Sequence, residues 1–130
     1  MNKLDFILLI DDDEATSVFH QIMAEESGVT ANIFTAASAE SAISQLQQLK
    51  EQFNLSNALI FLDINMPATD GWGFLELIEE SDLPQPLHII MVSASDHPRD
   101  LDRIQSHPLL KGFEPKPITA EKIIFWSNRI

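Results

Sequence analysis

The sequence has no cysteine and few basic residues. The lack of cysteine excludes disulfides, thiolate metal sites and thiol catalysis, and it suits the reducing cytoplasm where we expect the protein to work. Only 8 Lys and Arg residues stand against 20 Asp and Glu residues, giving a formal net charge of −12. Because Lys and Arg supply most of the affinity for nucleic acids and anionic membranes, this balance argues against direct binding to either.

Long apolar runs are also missing. No stretch approaches the ~20 apolar residues that a membrane-spanning helix needs. The first residues, Met1–Asp5, lack the charged region, apolar core and cleavage site of a signal peptide. The 130 residues, 45% of them hydrophobic, are enough for one packed core and leave little room for a second. We therefore expect a single domain over residues 1–130.

Five short apolar segments predict β-strands. Those at Phe6–Ile10, Ala58–Leu62 and His88–Val92 are almost continuous runs of large aliphatic residues, a pattern typical of central parallel strands covered on both faces. Asn32–Thr35 and Leu109–Phe113 are the weaker candidates.

Amphipathic segments between the strands predict five helices. They are Glu14–Ser27, Ser38–Lys50, Trp72–Glu80, Pro98–Ser106 and a last helix capped by Thr119. In the first helix, Val18, Ile22 and Met23 are expected to face the core, and Gly28 is expected to cap the C-terminus. The alternation predicts an α/β fold, a doubly wound five-stranded parallel sheet with helices on both faces.

Polar residues follow four of the predicted strands. Asp11, Asp12 and Asp13 come after the first, Asp63 after the third, and Ser93 after the fourth, and Lys116 follows the fifth. In such sheets, ligands bind outside the carboxyl ends of the strands. Clustered carboxylates repel one another unless a cation neutralises them, and ligation by oxygen alone indicates Mg²⁺ or Mn²⁺.

This set of side chains has the chemistry for an aspartyl phosphate. A carboxylate beside a bound metal ion can attack a phosphoryl group, because the metal offsets the charge on both partners. The Ser93 hydroxyl and the Lys116 ammonium would then hold the remaining phosphoryl oxygens. The sequence thus predicts that Asp63 is reversibly phosphorylated.

Each residue taken alone also has an ordinary structural explanation. Acids before a helix commonly compensate the helix dipole, and Asp63 could simply occupy a turn. Lys116 could be solvated, and Ser93 could be a loop residue. The four histidines show no ligand spacing, and His97-Pro98 is expected to form a turn. The ordered combination of the four strand ends is what favours the phosphorylation site.

The same residues carry a family resemblance. Leu9–Asp13 (LIDDD), Leu62–Pro67 (LDINMP) with Asp70 and Gly71, Met91–Ala94 (MVSA) and Gly112–Pro117 (GFEPKP) occur in this order. The chain resembles the receiver domain of two-component response regulators along nearly its whole length. This resemblance implies a flavodoxin-like (βα)5 fold, and the length is similar to that of members without an output domain.

The resemblance also implies roles for individual residues. Asp63 is the implied phosphoacceptor. Mg²⁺ would be bound directly by Asp12, through water by Asp11, and by the backbone carbonyl of Asn65. Asp13 extends the acidic pair to a run, so its exclusion from the metal site depends on its distance from the strand.

Three further roles concern the switch. Ser93 takes the place of the hydroxyl residue that bonds the phosphoryl group and moves on activation. Lys116 is the implied phosphoryl-binding lysine, and its bond to Pro117 is expected to be cis. Phe113 takes the place of the aromatic residue that rotates inward.

The implied partners are a sensor histidine kinase or phosphotransfer protein and a downstream protein. The downstream surface would comprise the Pro98–Ser106 helix, the last strand and the last helix, and it could also form a homodimer. Apolar residues of the last helix, Phe125 and Trp126, could be exposed there or buried in the core.

Two other functions stay open. A haloacid-dehalogenase-type phosphatase also uses an aspartyl nucleophile, but it needs an Asp-x-Asp-x-Thr/Val run after the first strand, and Asp11–Ala15 fails at the last position. A pure interaction module would keep the fold and rarely be phosphorylated. We therefore expect a self-phosphorylating switch and not a conventional enzyme.

Overall fold

The computed structural model describes residues 4–95 and 99–130. The strands are β1 (Phe6–Ile10), β2 (Ile33–Ala36), β3 (Ala58–Asp63), β4 (Ile89–Ser93) and β5 (Leu110–Pro115). The helices are α1 (Glu14–Ser27), α2 (Ala39–Leu49), α3 (Gly71–Glu80), α4 (Leu101–Ser106) and α5 (Ala120–Ser127), with a short 3₁₀ turn at Leu55–Asn57.

All five strands are parallel and lie in the order β2-β1-β3-β4-β5. This order confirms the predicted doubly wound sheet. Alternate residues of the central strands point to opposite faces, which explains why the strands read as continuous apolar runs. One face packs against α2, α3 and α4, and the other packs against α1 and α5.

Polar caps fix where the helices begin. The side chains of Asp13, Ser38, Asp70 and Thr119 each accept a hydrogen bond from a backbone N–H in the first turn of α1, α2, α3 and α5. Gly28 ends α1 with a φ of 68°, a left-handed conformation that favours glycine. The predicted caps at Thr119 and Gly28 are confirmed.

The predicted buried face of α1 is wrong for Val18 and Ile22, whereas Met23 packs against the core as predicted. Val18 and Ile22 are 50% and 45% exposed, whereas His20 and Ala24 are almost fully buried and Met23 is partly buried. Residues 20 and 24 have the same spacing of four as residues 18 and 22, so each pair forms a stripe along its own face of the helix and spacing alone does not choose between them. The helix turns the smaller, more polar pair toward the sheet and α5.

The fourth helix is shorter than predicted. It begins at Leu101, and the predicted start at Pro98 and the His97-Pro98 turn lie outside the described residues. In the last helix, Phe125 is 43% exposed while Trp126 is partly buried. Within residues 4–95 and 99–130, no helix is long and apolar enough to cross a membrane.

Candidate functional site

The carboxyl edge of the sheet brings the predicted acidic residues together. Asp11 follows β1, and Asp63 is the last residue of β3, which lies beside β1. A carboxylate oxygen from each of Asp11, Asp12 and Asp63 can be chosen so that all three lie within 4.8 Å of one another. Asp11 and Asp63 are buried, and Asp12 is exposed. Three acids from two strand ends thus form one cluster that solvent reaches from the side of Asp12.

Lys116 supplies the positive charge at this cluster. Its Nζ lies 2.8 Å from Asp11 Oδ2 and 3.5 Å from Asp63 Oδ1. Its backbone N–H donates to the carbonyl of Ser93 over 2.7 Å, which fixes the end of β5 beside the end of β4. The bond between Lys116 and Pro117 is cis, as predicted. The ammonium therefore sits between two buried carboxylates.

Burial and like charge perturb Asp63. Burial, followed by the negative charge of Asp11, raises the pKa of Asp63 to about 6, although Lys116 and the backbone N–H of Asn65 act in the opposite direction. Burial alone would lower the pKa of Lys116, but Asp11 and Asp63 outweigh it and raise that pKa above its ordinary value. The site holds a lysine that stays charged and an aspartate whose ionised form is costly.

The three acids that follow β1 have two different roles. Asp13 caps α1, since its Oδ2 accepts the backbone N–H of Thr16 over 2.9 Å. The backbone N–H of Asp13 donates to Asp11 Oδ1 over 2.9 Å. The helix-dipole explanation therefore applies to Asp13, and Asp11 and Asp12 are left for the cluster.

The cluster fits a hard divalent cation. All of its ligand atoms are carboxylate oxygens, the donors that Mg²⁺ prefers. Two of the three carboxylates are buried close together, and a cation would relieve their repulsion. Asn65 follows Asp63 closely in the loop, and its backbone N–H donates to Asp63 Oδ1 over 3.3 Å. The chemistry of the donor set thus matches the predicted ion.

The two predicted switch residues lie on β4 and β5. Ser93 is buried at the end of β4, and its Oγ accepts the backbone N–H of Ser95 over 3.1 Å. Phe113 is partly buried on β5, where it is paired with Met91 and packs against the core between the sheet and α2–α4. Ser93 lies at the carboxyl edge of the sheet, whereas Phe113 lies two residues before β5 ends at Pro115.

Sequence reasoning missed two residues near the site. His20 of α1 lines a small space together with Asp11 and Asp63. Lys122 of α5 hydrogen-bonds to the backbone on either side of Lys116. The only local signal for His20 was its helical spacing from Ala24, and Lys122 had none.

Gly71 lets α3 approach the Asp63 loop closely. A Cβ at Gly71 would lie 2.9 Å from the carbonyl oxygen of Asp63 and 3.0 Å from Cα of Ile64. We expect Gly71→Ala to lower the free energy of unfolding by about 1–3 kcal/mol, because backbone must shift to make room. Urea unfolding measures this loss.

Gly73→Ala is the matched control in the same helix. A Cβ at Gly73 would meet chiefly the Thr69 side chain, which can rotate, so we expect a smaller loss than at Gly71. Equal losses at both positions would contradict the role of the Asp63 loop.

Known proteins place this geometry in a family. The family model for the response regulator receiver domain matches residues 7–125. A probable transcriptional regulator, ycf27, of Porphyridium aerugineum is 32% identical over 114 residues, covering 87% of this chain and 45% of that protein. The two-component response regulator ARR10 of Arabidopsis thaliana is 31% identical over 118 residues, covering 90% of this chain and 19% of that protein. The chain thus spans less than half the length of these relatives.

Solved structures agree on the fold. A two-component response regulator from Cytophaga hutchinsonii superimposes with a TM-score of 0.87 at 26% identity, covering 98% of this chain and 97% of that one. Chemotaxis protein CheY4 of Vibrio cholerae superimposes with a TM-score of 0.76 at 20% identity over 98% of both chains. The family model's match over residues 7–125, with the acidic cluster at the expected strand ends, shows that the chain belongs to the response regulator receiver domain family, whose general role is that of a phosphorylation switch in two-component signalling.

Proposed function

We propose that this protein is a signalling switch that is reversibly phosphorylated on Asp63. The observation that carries the proposal is the position of the Asp63 carboxylate, buried between the Asp11 and Asp12 carboxylates and the Lys116 ammonium. A carboxylate held next to a fixed positive charge is suited to receive a dianionic group.

Phosphorylation proceeds by attack of an Asp63 oxygen on phosphorus. With a phosphohistidine donor, the new O–P bond forms as the P–N bond breaks, and the imidazole leaves with the electron pair. Lys116 and the Ser93 hydroxyl hold the phosphoryl oxygens, so their charge is offset as it builds up. In dephosphorylation, water attacks phosphorus, the O–P bond to Asp63 breaks, and inorganic phosphate leaves.

Mg²⁺ is the proposed cofactor. Asp12 and Asp63 would bind it directly, Asp11 through water, and Asn65 through its backbone carbonyl. When bound, the ion would supply neutralisation of the carboxylates and of the incoming phosphoryl oxygens. The support is the oxygen-only cluster and the cost of ionising Asp63 without a cation.

The proposed phosphodonor is a histidine kinase or a phosphotransfer protein. A cavity of about 450 Å³ opens beside Lys116 and is lined on the α1 side by Phe19 and Thr16. Phe19 is 41% exposed, and it lies next to Val18 and Ile22, which are exposed as well. This apolar surface next to the site favours a protein donor over small phosphodonors alone.

The proposed output surface comprises α4, β5 and α5. A cavity of about 300 Å³ lies there, lined by Leu101 and Ile104 of α4, Phe113 of β5 and Trp126 of α5, among others. Phe113 thus lies on the strand that leads to Lys116 and lines a cavity on the surface where Phe125 is exposed as well. Movement of Phe113 would change the shape of this cavity, which is how we propose that a downstream protein or a second copy senses phosphorylation.

Incubation with acetyl phosphate tests the proposed function. We expect the protein to gain the mass of one phosphoryl group in the presence of Mg²⁺, and Asp63→Ala to gain none, because its nucleophile is gone. Intact-protein mass spectrometry measures the gain. Asp70→Ala is the control, since Asp70 is an exposed cap of α3 and should leave phosphorylation intact.

Two outcomes would contradict the proposal. No mass gain with acetyl phosphate or with a panel of phosphorylated kinases would favour a pure interaction module. Sustained turnover of p-nitrophenyl phosphate, lost in an Asp11 variant, would instead favour a phosphatase of the haloacid-dehalogenase type.

A further inference from the structure

The turn that carries Lys116 is held by side chains from two different helices. The turn runs from Pro115 to Ile118, and Lys116 projects from it toward the acidic cluster. The backbone groups on both sides of Lys116 are bonded to His20 of α1 and to Lys122 of α5. Neither side chain belongs to the acidic cluster or takes part in the chemistry proposed above.

His20 holds the far end of the turn. Its Nε2 accepts the backbone N–H of Ile118 over 2.9 Å, a bond between residues 98 positions apart in the sequence. The side chain is only 3% exposed, so loss of this bond would leave a buried N–H without its partner. Because Nε2 accepts, the ring must be neutral with its proton on Nδ1.

The surroundings of His20 favour this neutral form. Burial is the largest influence and lowers the pKa of His20, and the positive charges of Lys116 and Lys122 act in the same direction. The negative charge of Asp11 opposes them but does not reverse the shift. The surroundings of His20 thus favour the same ring form that the hydrogen bond from Ile118 requires.

Lys122 binds the backbone of the turn on either side of Lys116. Its Nζ donates to the carbonyl of Pro115 over 3.1 Å and to the carbonyl of Pro117 over 3.2 Å, the two residues that flank Lys116. Glu114 Oε1 lies 3.7 Å from the same Nζ, and Glu114 Oε2 accepts the indole N–H of Trp126 over 2.7 Å. The ammonium is thus held by two backbone carbonyls of the turn and by the Glu114 carboxylate just before it.

We propose that His20 and Lys122 are positioning residues that fix the Lys116 turn, so that the ammonium lies where the phosphoryl group binds. The inference rests on the proposed function of Asp63. A lysine has a long, flexible stem, and its head is placed only as well as the backbone from which it projects. Here one hydrogen bond to the Ile118 N–H and two to the flanking carbonyls restrain the backbone of the turn before any ligand binds. Misplacement of such a group by about 1 Å can cost about 100-fold in rate.

His20→Met and His20→Gln form a matched pair that tests the inference. Methionine fills the space without a strong acceptor, whereas the Gln side-chain oxygen reaches the position of Nε2. We expect His20→Met to lower the rate of phosphorylation by acetyl phosphate about 10- to 100-fold, and His20→Gln to restore most of it. Affinity for Mg²⁺, measured by calorimetry, should not fall in either variant, because the hydrogen bond between His20 and Ile118 involves none of the carboxylates of the proposed metal site.

Lys122→Met provides a second test at a partly exposed position. We expect a loss of rate of about 10-fold, and no comparable loss in Lys50→Met, which removes the same charge far from the site. In a Lys116→Met background, His20→Met and Lys122→Met should cause no further loss of rate, because the residue that they position is absent.

Several results would overturn the inference. They are an equal loss of rate in His20→Gln and His20→Met, losses that add to that of Lys116→Met, or a fall in Mg²⁺ affinity that parallels the fall in rate. Failure of the proposed function has a different signature, namely no phosphorylation of the wild-type protein. In that case NMR decides: the Ile118 amide proton and the Lys116 side-chain methylene signals should both shift in His20→Met, and unchanged Lys116 signals would reject a positioning role.

Discussion

Asp63→Asn is expected to raise the free energy of unfolding of the metal-free protein at pH 7 by up to about 3 kcal/mol. This value follows from the shift in the pKa of Asp63, from an ordinary 3.8 to about 6, because each pKa unit corresponds to about 1.4 kcal/mol. Asparagine has nearly the same shape and carries no charge. The substitution therefore removes the cost of a buried anion beside Asp11 without opening a cavity.

The pH dependence fixes the sign of this effect. Since the pKa is raised in the folded state, folded protein binds more protons than unfolded protein between pH 3.8 and about 6. Wild-type stability from this group is fully present below pH 3.8 and is lost as the pH rises through about 6. The advantage of Asp63→Asn should thus be absent in acid, grow over this window and stay constant above it.

Urea unfolding at several pH values, with a chelator present, measures the effect. Glu76→Gln, at an exposed position of α3, is the control and should leave stability nearly unchanged. Added Mg²⁺ should narrow the gap, because binding to the folded wild-type protein stabilises it. Equal or lower stability of Asp63→Asn at pH 7 without metal would show that Lys116 already neutralises the cluster completely.

Much of the fold was predictable because it rests on local patterns. The boundaries of β1 and α1 agree with the prediction, since a run of five apolar residues and a capping glycine at Gly28 are both local signals. The ends of β3, β4 and β5 each extend one or two residues past the apolar run, so that β3 and β4 end on Asp63 and Ser93 and β5 ends next to Lys116. Pairing with a neighbouring strand, which no local pattern contains, sets those ends.

The buried face of α1 could not be predicted for a similar reason. Val18, Phe19 and Ile22 are more apolar than His20, so hydrophobicity alone selects the wrong face. The structure buries His20 because Ile118, brought close by α5 and the sheet, supplies a partner for its ring nitrogen. A contact across 98 residues leaves no periodicity in the sequence to detect.

The candidate site was predictable for another reason, which is topology. Parallel strands deliver their carboxyl ends to one edge, so residues such as Asp63 and Lys116 meet although they are far apart in the chain. Topology did not predict which acid of Asp11–Asp13 would cap α1. Only the hydrogen bond from the Thr16 backbone to Asp13 decides that.

Lys116→Met is expected to separate metal binding from phosphoryl transfer. The ammonium lies 2.8 Å from Asp11 and 3.5 Å from Asp63, so it occupies the same negative field that a divalent cation would use. Its removal takes away a competing positive charge, and we expect Mg²⁺ to bind about tenfold more tightly. Phosphorylation by acetyl phosphate should nevertheless fall about 100-fold or more, because a fixed donor to the phosphoryl oxygens is lost.

Calorimetry at neutral pH and mass spectrometry at saturating Mg²⁺ measure the two effects separately. Lys50→Met is the matched control, since it removes the same charge at the end of α2 and should change neither quantity. Parallel losses of metal affinity and of phosphorylation would mean that Lys116 holds the cluster together and does not bind the phosphoryl group. Opposite changes can arise only if the ammonium opposes the metal ion and assists the phosphoryl group, which is the division of labour that its place between Asp11 and Asp63 implies.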